Sequence, residues 1–412
     1  MQRRQFLKSS LASGISIAGS AMPLSVAAQS HRTKDLDKLI AEVMKRDHLP
    51  GLAAAVFDAT GVIWSKSYGY SNLERKQKMT LNSVQNIGSV SKTFVATAAM
   101  QLKELGLLDL DADINSYLGF DLRNPNHPNK PITMRQLLTH QSSLRDGYNY
   151  AKNYACGDPR ISIAAWVRAF FKPGNIYYDR DANFENWAPG EGWYYCNVSW
   201  SVAALIVERI SGIPFPAYCH RNIFSHLGMV STNWLLADID KRQHSTPYAW
   251  VDESGTRGGS WGGVPLGVIT PDGPTLDKPL AEGLHENCLY NHPNYPDGFL
   301  RSCVSDLLLY LRAYANGGLV DGKRILQTDT VAEMLTVQIE KPRKGSGYDY
   351  GMTWRSFETP SGKNVWGHSG GDPGVSTEVA ILPKQKSGGV IVANSDGVTP
   401  EKLMPDLLEM IL

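Results

Sequence analysis

Residues Ile87 to Phe94 read Ile-Gly-Ser-Val-Ser-Lys-Thr-Phe and begin an apolar segment. The pattern predicts a helix from about Ser89 to Glu104. Residues three apart lie on one helix face, so Lys92 would lie one turn from Ser89. A serine hydroxyl is a weak nucleophile and needs a neighbouring base or cation. The positive end of the helix would also favour the negative charge that develops there. The pair therefore indicates a nucleophilic serine.

A second segment, from Pro189 to Asn197, reads Pro-Gly-Glu-Gly-Trp-Tyr-Tyr-Cys-Asn and precedes another apolar helical pattern. If its tyrosine Tyr195 lay beside Ser89 and Lys92, the pKa of that tyrosine could be lowered and it could act as a general base. Asn197 could hydrogen-bond Lys92 and a substrate amide. Taken alone, the same residues also fit a half-buried loop tyrosine with a capping asparagine.

A third motif is Gly-His-Ser-Gly-Gly, from Gly367 to Gly371. It also spells Gly-Xaa-Ser-Xaa-Gly, the nucleophile elbow of α/β-hydrolases. In that fold the catalytic histidine follows the serine in the chain. His368 is the last histidine of the sequence, so Ser369 has none downstream. The order excludes the elbow and leaves Ser89 as the predicted nucleophile.

These three motifs resemble those of the serine β-lactamase and penicillin-binding-protein family, in particular class C β-lactamases and their relatives. The segments from Ile132 to Leu144 and from Tyr295 to Ser302 resemble the family as well, although Ser143 replaces a usual glycine. The resemblance covers nearly the whole chain after its first residues. His140 lies in a segment that is structural in most relatives, so we expect it to be a buried, hydrogen-bonded histidine.

The resemblance implies a role for each motif residue. Ser89 would be the nucleophile, Lys92 and Tyr195 would move its proton, and His368 would complete the site. The backbone N–H groups of Ser89 and Gly371 would form the oxyanion hole. The predicted substrate-binding residues are Asn197, Ser369, Gly370 and Trp193.

His368 departs from the lysine that is usual in the family. A lysine gives a fixed charge that helps to hold a substrate carboxylate, whereas histidine is mostly neutral at pH 7. The segment from Tyr148 to Trp200 is also dense in aromatic residues. Most of them should be core, but a few exposed ones would make an apolar acyl pocket. Both features favour neutral, hydrophobic substrates over anionic β-lactams.

The fold class predicted is α/β, β-lactamase/transpeptidase-like: an antiparallel sheet flanked by helices, with an inserted helix-rich lobe. We expect residues 29–114 and 296–412 to form the α/β domain and residues 115–295 the lobe. The pattern predicts helices and strands at the following places: helices Lys34–Asp47, Ser199–Ser211, Val304–Ala315 and Pro400–Leu412, and strands Leu52–Phe57, Val62–Tyr68, Val365–Gly367, Thr377–Leu382 and Gly389–Ala393.

Residues 1–28 read as a twin-arginine-type signal peptide, with Arg3-Arg4 ahead of a weakly apolar run that ends at Ala27-Ala28. They predict export to the periplasm. Because such proteins fold in the reducing cytosol, no disulfide framework is expected among the five cysteines, although one late disulfide remains possible. The cluster of His285, Cys288 and His292 lacks a metal-site frame, so we expect no metal and no cofactor.

The net charge of +1, without a long basic run, favours neither nucleic acid nor an anionic surface as partner. No later segment is long and apolar enough for a stable membrane span. We expect a small-molecule or peptide substrate and leave the oligomeric state open. The predicted function is a carboxylesterase- or amidase-like serine hydrolase. The alternatives are a D-amino-acid-specific peptidase, a β-lactamase, and a catalytically silent binding or sensor protein.

Overall fold

The computed structural model describes residues 26–252, 260–261, 264–265, 268–275, 281–396 and 399–412. Of the predicted signal peptide, residues 1–25 lie outside the described residues. Its last three positions belong to the first helix. The α-helices are α1 (Val26–Arg46), α2 (Ser91–Glu104), α3 (Asn115–Leu118), α4 (Met134–Leu138), α5 (Ile163–Phe171), α6 (Val198–Ser211), α7 (Phe215–Cys219), α8 (Ser225–Leu227), α9 (Val304–Ala315), α10 (Thr328–Met334) and α11 (Thr399–Ile411).

Most strands outside the main sheet are only two residues long. The strands are β1 (Gly51–Asp58), β2 (Gly61–Asn72), β3 (Gln77–Lys78), β4 (Gln85–Asn86), β5 (Ala155–Cys156), β6 (Tyr248–Val251), β7 (Ser260–Trp261), β8 (Val264–Pro265), β9 (Ile269–Thr270), β10 (Gly273–Pro274), β11 (Gly283–Glu286), β12 (Tyr290–Asn291), β13 (Arg301–Ser302), β14 (Leu319–Val320), β15 (Lys323–Arg324), β16 (Asp349–Tyr350), β17 (Arg355–Glu358), β18 (Asn364–Asp372), β19 (Val375–Leu382) and β20 (Ser387–Ala393).

One eight-stranded sheet joins the two ends of the chain. Its order is β16-β17-β18-β19-β20-β1-β2-β3, and neighbouring strands are antiparallel. The junction lies between β1 and β20, where Ala53 pairs with Val392. The antiparallel α/β fold predicted from the sequence is confirmed.

Both faces of the sheet are covered, which explains why β19 and β20 are buried at every position. Side chains alternate along β1: Ala53 and Ala55 belong to the larger hydrophobic core, whereas Leu52 and Ala54 belong to the smaller one. Helices α1 and α11 pack on the smaller core, and α9 packs on the other face. The predicted apolar stripe of α1 is confirmed, since Leu36 and its neighbours at helical spacing lie in the smaller core.

The long segment between α2 and α9 carries α3 to α8 and short strands, as expected for a helix-rich insertion. The exact lobe boundaries, 115 and 295, stay a prediction. One disulfide joins Cys156 of β5 to Cys288, next to the β5–β12 pair, and the other three cysteines are buried and free. The disulfide also takes the thiol of Cys288 out of the cluster with His285 and His292.

No single helix of the described residues has the length and apolar composition of a membrane span. Within the described part of the chain, one pair of helical segments has that length and composition when taken together: α6 and Phe215–Leu227, which are bent by 74° against each other.

Candidate active site

Ser89 lies in a short 3-10 turn, Gly88–Val90, which leads directly into α2. The regular helix thus begins two residues later than predicted. Gly88 has a φ of +53°, and a Cβ there would lie 2.6 Å from the backbone nitrogen of Gly371. Only glycine combines this backbone with so close an approach. The turn therefore holds Ser89 directly against strand β18.

Lys92 lies one turn beyond Ser89, as predicted, and its side chain is fully buried. Its Nζ donates to the Ser89 hydroxyl at 2.9 Å and to the carbonyl oxygen of Asp297 at 2.7 Å. These bonds satisfy two of the three N–H donors of the ammonium group. Such partners are needed because a buried charge without hydrogen bonds is costly. The two bonds also fix the ammonium group next to the hydroxyl oxygen of Ser89.

Tyr195 lies beside this pair. The Nζ of Lys92 is 5.1 Å from the centroid of the Tyr195 ring. His140 packs against the same ring with centroids 4.2 Å apart, and its own Nδ1 accepts from the backbone N–H of Cys196 at 3.1 Å. Burial, followed by the charge of Lys92, lowers the pKa of His140 well below its ordinary value. A buried, neutral His140 thus supports the segment that carries Tyr195.

Asn197 does not hydrogen-bond Lys92, and this prediction was wrong. Its side-chain Nδ2 donates to Oδ2 of Asp146 at 2.9 Å. Oδ1 of Asp146 accepts from the backbone N–H groups of Asn197 and Val198 at 2.6 and 3.0 Å. A carboxylate is favourable at the N-terminus of a helix, here α6, and it fixes the orientation of the Asn197 amide. Lys92 could only donate to Oδ1 of Asn197, and among the described residues this buried oxygen has no hydrogen-bond partner.

The third motif lies on β18, against the turn of Ser89. A Cβ on Gly370 would overlap the carbonyl oxygen of Ile87. Accessibility alternates along this part of the strand: His368 and Gly370 are buried, whereas Ser369 and Gly371 are partly accessible. The three motifs that lie far apart in the sequence are thus brought together.

His368 is buried, and its Nδ1 hydrogen-bonds the carbonyl oxygen of Ser369 at 2.7 Å. Burial lowers the pKa of His368 well below its ordinary value, and the charges of Arg355 and Lys92 lower it further. Because Nδ1 carries the proton that binds a carbonyl, Nε2 of the neutral ring is an acceptor. His368 therefore brings no fixed positive charge to this strand.

Trp193 is half-buried and packs near the rings of His140, Tyr195 and Tyr350, with centroids 5.8 to 6.3 Å away. The guanidinium carbon of Arg343, an exposed residue, lies 5.0 Å from the Trp193 ring centroid. Of the twelve aromatic residues from Tyr148 to Tyr194, six are buried core: Tyr150, Tyr154, Trp166, Phe170, Phe171 and Phe184.

Sequence reasoning missed two buried carboxyl groups of this region, Asp297 and Asp372. Tyr150 donates to Asp297 at 2.5 Å, and Tyr154 donates to Asp372 at 2.8 Å. Burial raises the pKa of Asp297 to about 8, against the opposing effects of the Lys92 charge and the Tyr150 hydroxyl. Burial likewise raises the pKa of Asp372 to about 7.

A signal for these two residues was present. Asp372 directly follows Gly371, and Asp297 lies in the Tyr295–Ser302 segment that resembles the family. Asp146 comes two residues after the Ile132–Leu144 segment but had no further signal in the sequence. Its partners, Asn197 and Val198, lie 51 and 52 positions away.

Comparisons with known proteins agree with this geometry. The family model described as beta-lactamase matches residues 36–409. Penicillin-binding protein 4* of Bacillus subtilis (strain 168) is 25% identical over 358 residues, which are 85% of this chain and 69% of that protein. Esterase EstB of Burkholderia gladioli is 26% identical over 353 residues, 81% of this chain and 82% of that protein.

Among solved structures, the D-amino acid amidase from Ochrobactrum anthropi SV3, complexed with D-phenylalanine, has a TM-score of 0.70 at 19% identity. The match covers 93% of this chain and 99% of the amidase. At 19% identity it shows a shared fold and nothing about the substrate. Because the family model spans nearly all of the described chain, we conclude that this protein is a serine hydrolase of the β-lactamase family.

Proposed function

We propose that this hydrolase cleaves neutral or hydrophobic esters or amides through an acyl-enzyme. The observation that carries the proposal is His368, a buried neutral side chain at the position where the family usually has a charged lysine. Without that charge, the strand offers a substrate carboxylate little electrostatic attraction. The half-buried Trp193 beside Tyr195 adds an apolar surface on which an acyl group could pack.

In the proposed mechanism, Ser89 Oγ forms a bond to the substrate carbonyl carbon while its proton passes to the Tyr195–Lys92 pair. The carbonyl oxygen becomes an oxyanion that accepts from the backbone N–H groups of Ser89 and Gly371; one such donor typically contributes about 3–4 kcal/mol. Collapse of this intermediate breaks the bond to the leaving group, which receives the proton. Water then attacks the acyl-enzyme by the same route in reverse and frees Ser89.

A substrate panel on the purified enzyme tests the proposal. We expect kcat/KM for medium-chain or aromatic p-nitrophenyl esters to exceed that for nitrocefin by at least about tenfold, which is ~1.4 kcal/mol in transition-state binding. His368→Lys should shift this ratio toward nitrocefin, and Ser89→Ala gives the background rate. Nitrocefin turnover as fast as that of the best ester would restore the β-lactamase alternative.

A specific observation favours a second candidate, the D-amino-acid-specific peptidase. Arg343 places a permanent positive charge over Trp193, two residues from Tyr195. An arginine can hold a carboxylate through two parallel hydrogen bonds. If the substrate is a peptide, Arg343→Gln should raise KM for D-alanyl peptides several-fold and leave neutral esters unaffected. Equal effects on both substrates would count against this candidate.

We also propose that the protein acts in the periplasm. The proposal is supported by the Arg3-Arg4 signal and by the Cys156–Cys288 disulfide, since disulfides persist in oxidising compartments.

A further inference from the structure

Asn86 connects the turn of Ser89 to the end of strand β18. Its side-chain Oδ1 accepts from the backbone N–H of Gly88 at 2.8 Å, and its Nδ2 donates to Oδ2 of Asp372 at 3.1 Å. One planar amide thus contacts the residue before Ser89 and the residue after Gly371. Because its oxygen faces an N–H donor and its nitrogen faces a carboxyl oxygen, only one orientation of the amide satisfies both contacts.

Asp372 is held from more than one side. Tyr154 of the inserted segment donates to its other oxygen, Oδ1, at 2.8 Å. A Cβ on Gly298 would lie only 3.2 Å from Oδ2, so the backbone of that residue packs closely on the carboxyl group. Asn86 and Asp372 are both buried, with 3% and 6% of their surface exposed. Water therefore competes little for these bonds, and the contact is rigid.

The pair connects two segments that belong to different sheets. Asn86 belongs to β4, which pairs with β13 in a separate two-stranded sheet, whereas Asp372 ends β18 of the main sheet. The N–H groups of Ser89 and Gly371 come from these two separate segments. Their spacing depends on how β18 is fixed against the turn, and an oxyanion hole works only when its donors lie about 2.7–3.1 Å from the oxyanion.

We propose that Asp372 and Asn86 form a positioning pair that sets the spacing between the two N–H groups of the oxyanion hole. Neither side chain touches the substrate in this proposal. It rests on the proposed function, because that function assigns the oxyanion hole to Ser89 and Gly371. The pair should therefore affect the chemical step and leave substrate binding unaffected.

The test is the second-order rate constant for labelling of Ser89 by a fluorophosphonate, combined with kcat and KM on an ester. Labelling forms the Ser89 Oγ–phosphorus bond, releases fluoride and needs the same oxyanion stabilisation, but it does not require knowledge of the natural substrate. Asp372→Ala and Asn86→Ala should each slow labelling and lower kcat by about tenfold or more, with KM within about twofold. Loss of a whole donor costs about 10²–10³, so a displaced donor should cost less.

Two further variants separate positioning from general stability. Asp372→Asn should recover most of the rate, since its carbonyl can accept from Asn86 and its amide can donate to the Tyr154 oxygen. The double alanine variant should label no more slowly than the slower single variant, because both changes break one connection. Asp306→Asn is the control: this buried carboxyl accepts from Ser231 and Thr232, so its loss should leave the labelling rate within about twofold.

Folding is checked by circular dichroism and thermal unfolding. If an alanine variant does not fold, Asn86→Leu carries the test, since an apolar side chain of similar size can make neither hydrogen bond and labelling should still slow about tenfold. Folded variants that label at the wild-type rate, or single effects that multiply in the double variant, overturn the proposal. A wild-type enzyme that labels rapidly but cleaves no ester contradicts the proposed substrate class and leaves this comparison intact.

Discussion

The ammonium nitrogen of Lys92 lies 2.9 Å from the hydroxyl oxygen of Ser89. Since an ammonium group can only donate, the serine oxygen accepts in this bond and its own proton points elsewhere. Ser89 is thus held ready to release that proton to a third group. Tyr195, whose ring lies near Lys92, is the residue that we predict to receive it.

Ser89→Ala should abolish ester turnover and covalent labelling by a fluorophosphonate, because no other serine has a buried lysine one turn along this helix. Peptide mapping of the labelled wild-type protein should identify Ser89. Ser369→Ala is the control for labelling: because Ser369 is a predicted substrate-binding residue and not the nucleophile, this variant should still be labelled, whatever its ester turnover. A label that maps to Ser369, or labelling that persists in Ser89→Ala, would show that Ser89 is not the nucleophile.

Lys92 and Tyr195 should behave as one unit. Tyr195→Phe and Lys92→Ala should each lower kcat by about 10²-fold or more, a usual size for lost acid–base catalysis. If the two side chains move one proton, the double variant should be little worse than the worse single variant. Steady-state kinetics of the four proteins decide this, and effects that multiply would argue for independent roles.

The Cys156–Cys288 disulfide should stabilise the fold. It closes a loop of 132 residues, and removal of a native disulfide typically costs about 2–5 kcal/mol. Cys156→Ala with Cys288→Ala should lower the free energy of urea unfolding by about that amount. Dithiothreitol should lower it in the wild type and leave it unchanged in the double variant. An equal response of both proteins to the reductant would mean that the bond does not form.

The stability should fall as pH rises from 7 to 8. Asp297 has a folded pKa of about 8 and an unfolded pKa near 3.8, so between these values the folded state holds a proton that the unfolded state lacks. Deprotonation then favours unfolding, with a slope of at most ~1.4 kcal/mol per pH unit. Below pH 7 the buried His244 and His292, whose pKa values burial lowers to about 3, act in the opposite direction.

Urea unfolding at pH 7.0, 7.5 and 8.0 measures this slope. Asp297→Asn should make the slope smaller but not abolish it, because Asp372, with a pKa of about 7, also loses its proton in this range. A slope that is identical in the variant would show that Asp297 is ionised throughout this range and that its burial is less costly than the fold indicates.

Export can be tested on the intact gene product. Arg3→Lys together with Arg4→Lys should leave unprocessed protein in the cytoplasm, since twin-arginine signals require the arginine pair. Fractionation and immunoblotting give the distribution. Periplasmic delivery at the wild-type level would mean that another pathway carries the protein.

Local patterns predicted much of the fold and part of the site. Apolar patterns predicted the helix Val304–Ala315 and five of the eight strands of the main sheet, although β18 only at its start. They missed β3, β16 and β17, which are short and lie toward the two edges of the sheet. Lys92 lies beside Ser89 because residues three apart share one helix face. Even Ser143, which replaces a usual glycine, keeps a left-handed backbone with a φ of +60°.

Contacts between distant segments could not be predicted in this way. Asn86 and Asp372 are 286 positions apart, and neither belongs to a periodic pattern that points to the other. The partner of Asn197 was predicted wrongly for the same reason: Asp146, which orients the amide of Asn197, lies in a loop whose path depends on the whole fold. The Cys156–Cys288 bond is a third case, because spacing alone does not determine pairing.

The pairing of β1 with β20 has a consequence for synthesis on the ribosome. When Ser89 and Lys92 emerge, the strand that must lie against them, β18, has not yet been translated. Until β20 arrives, β1 is an unpaired edge that invites wrong partners, which favours a chaperone on the nascent chain. Ser89, the predicted nucleophile, thus meets the strand of its proposed oxyanion hole only near the end of translation. A chain released before β18 is translated lacks Gly371, so it would be inactive under the proposed mechanism.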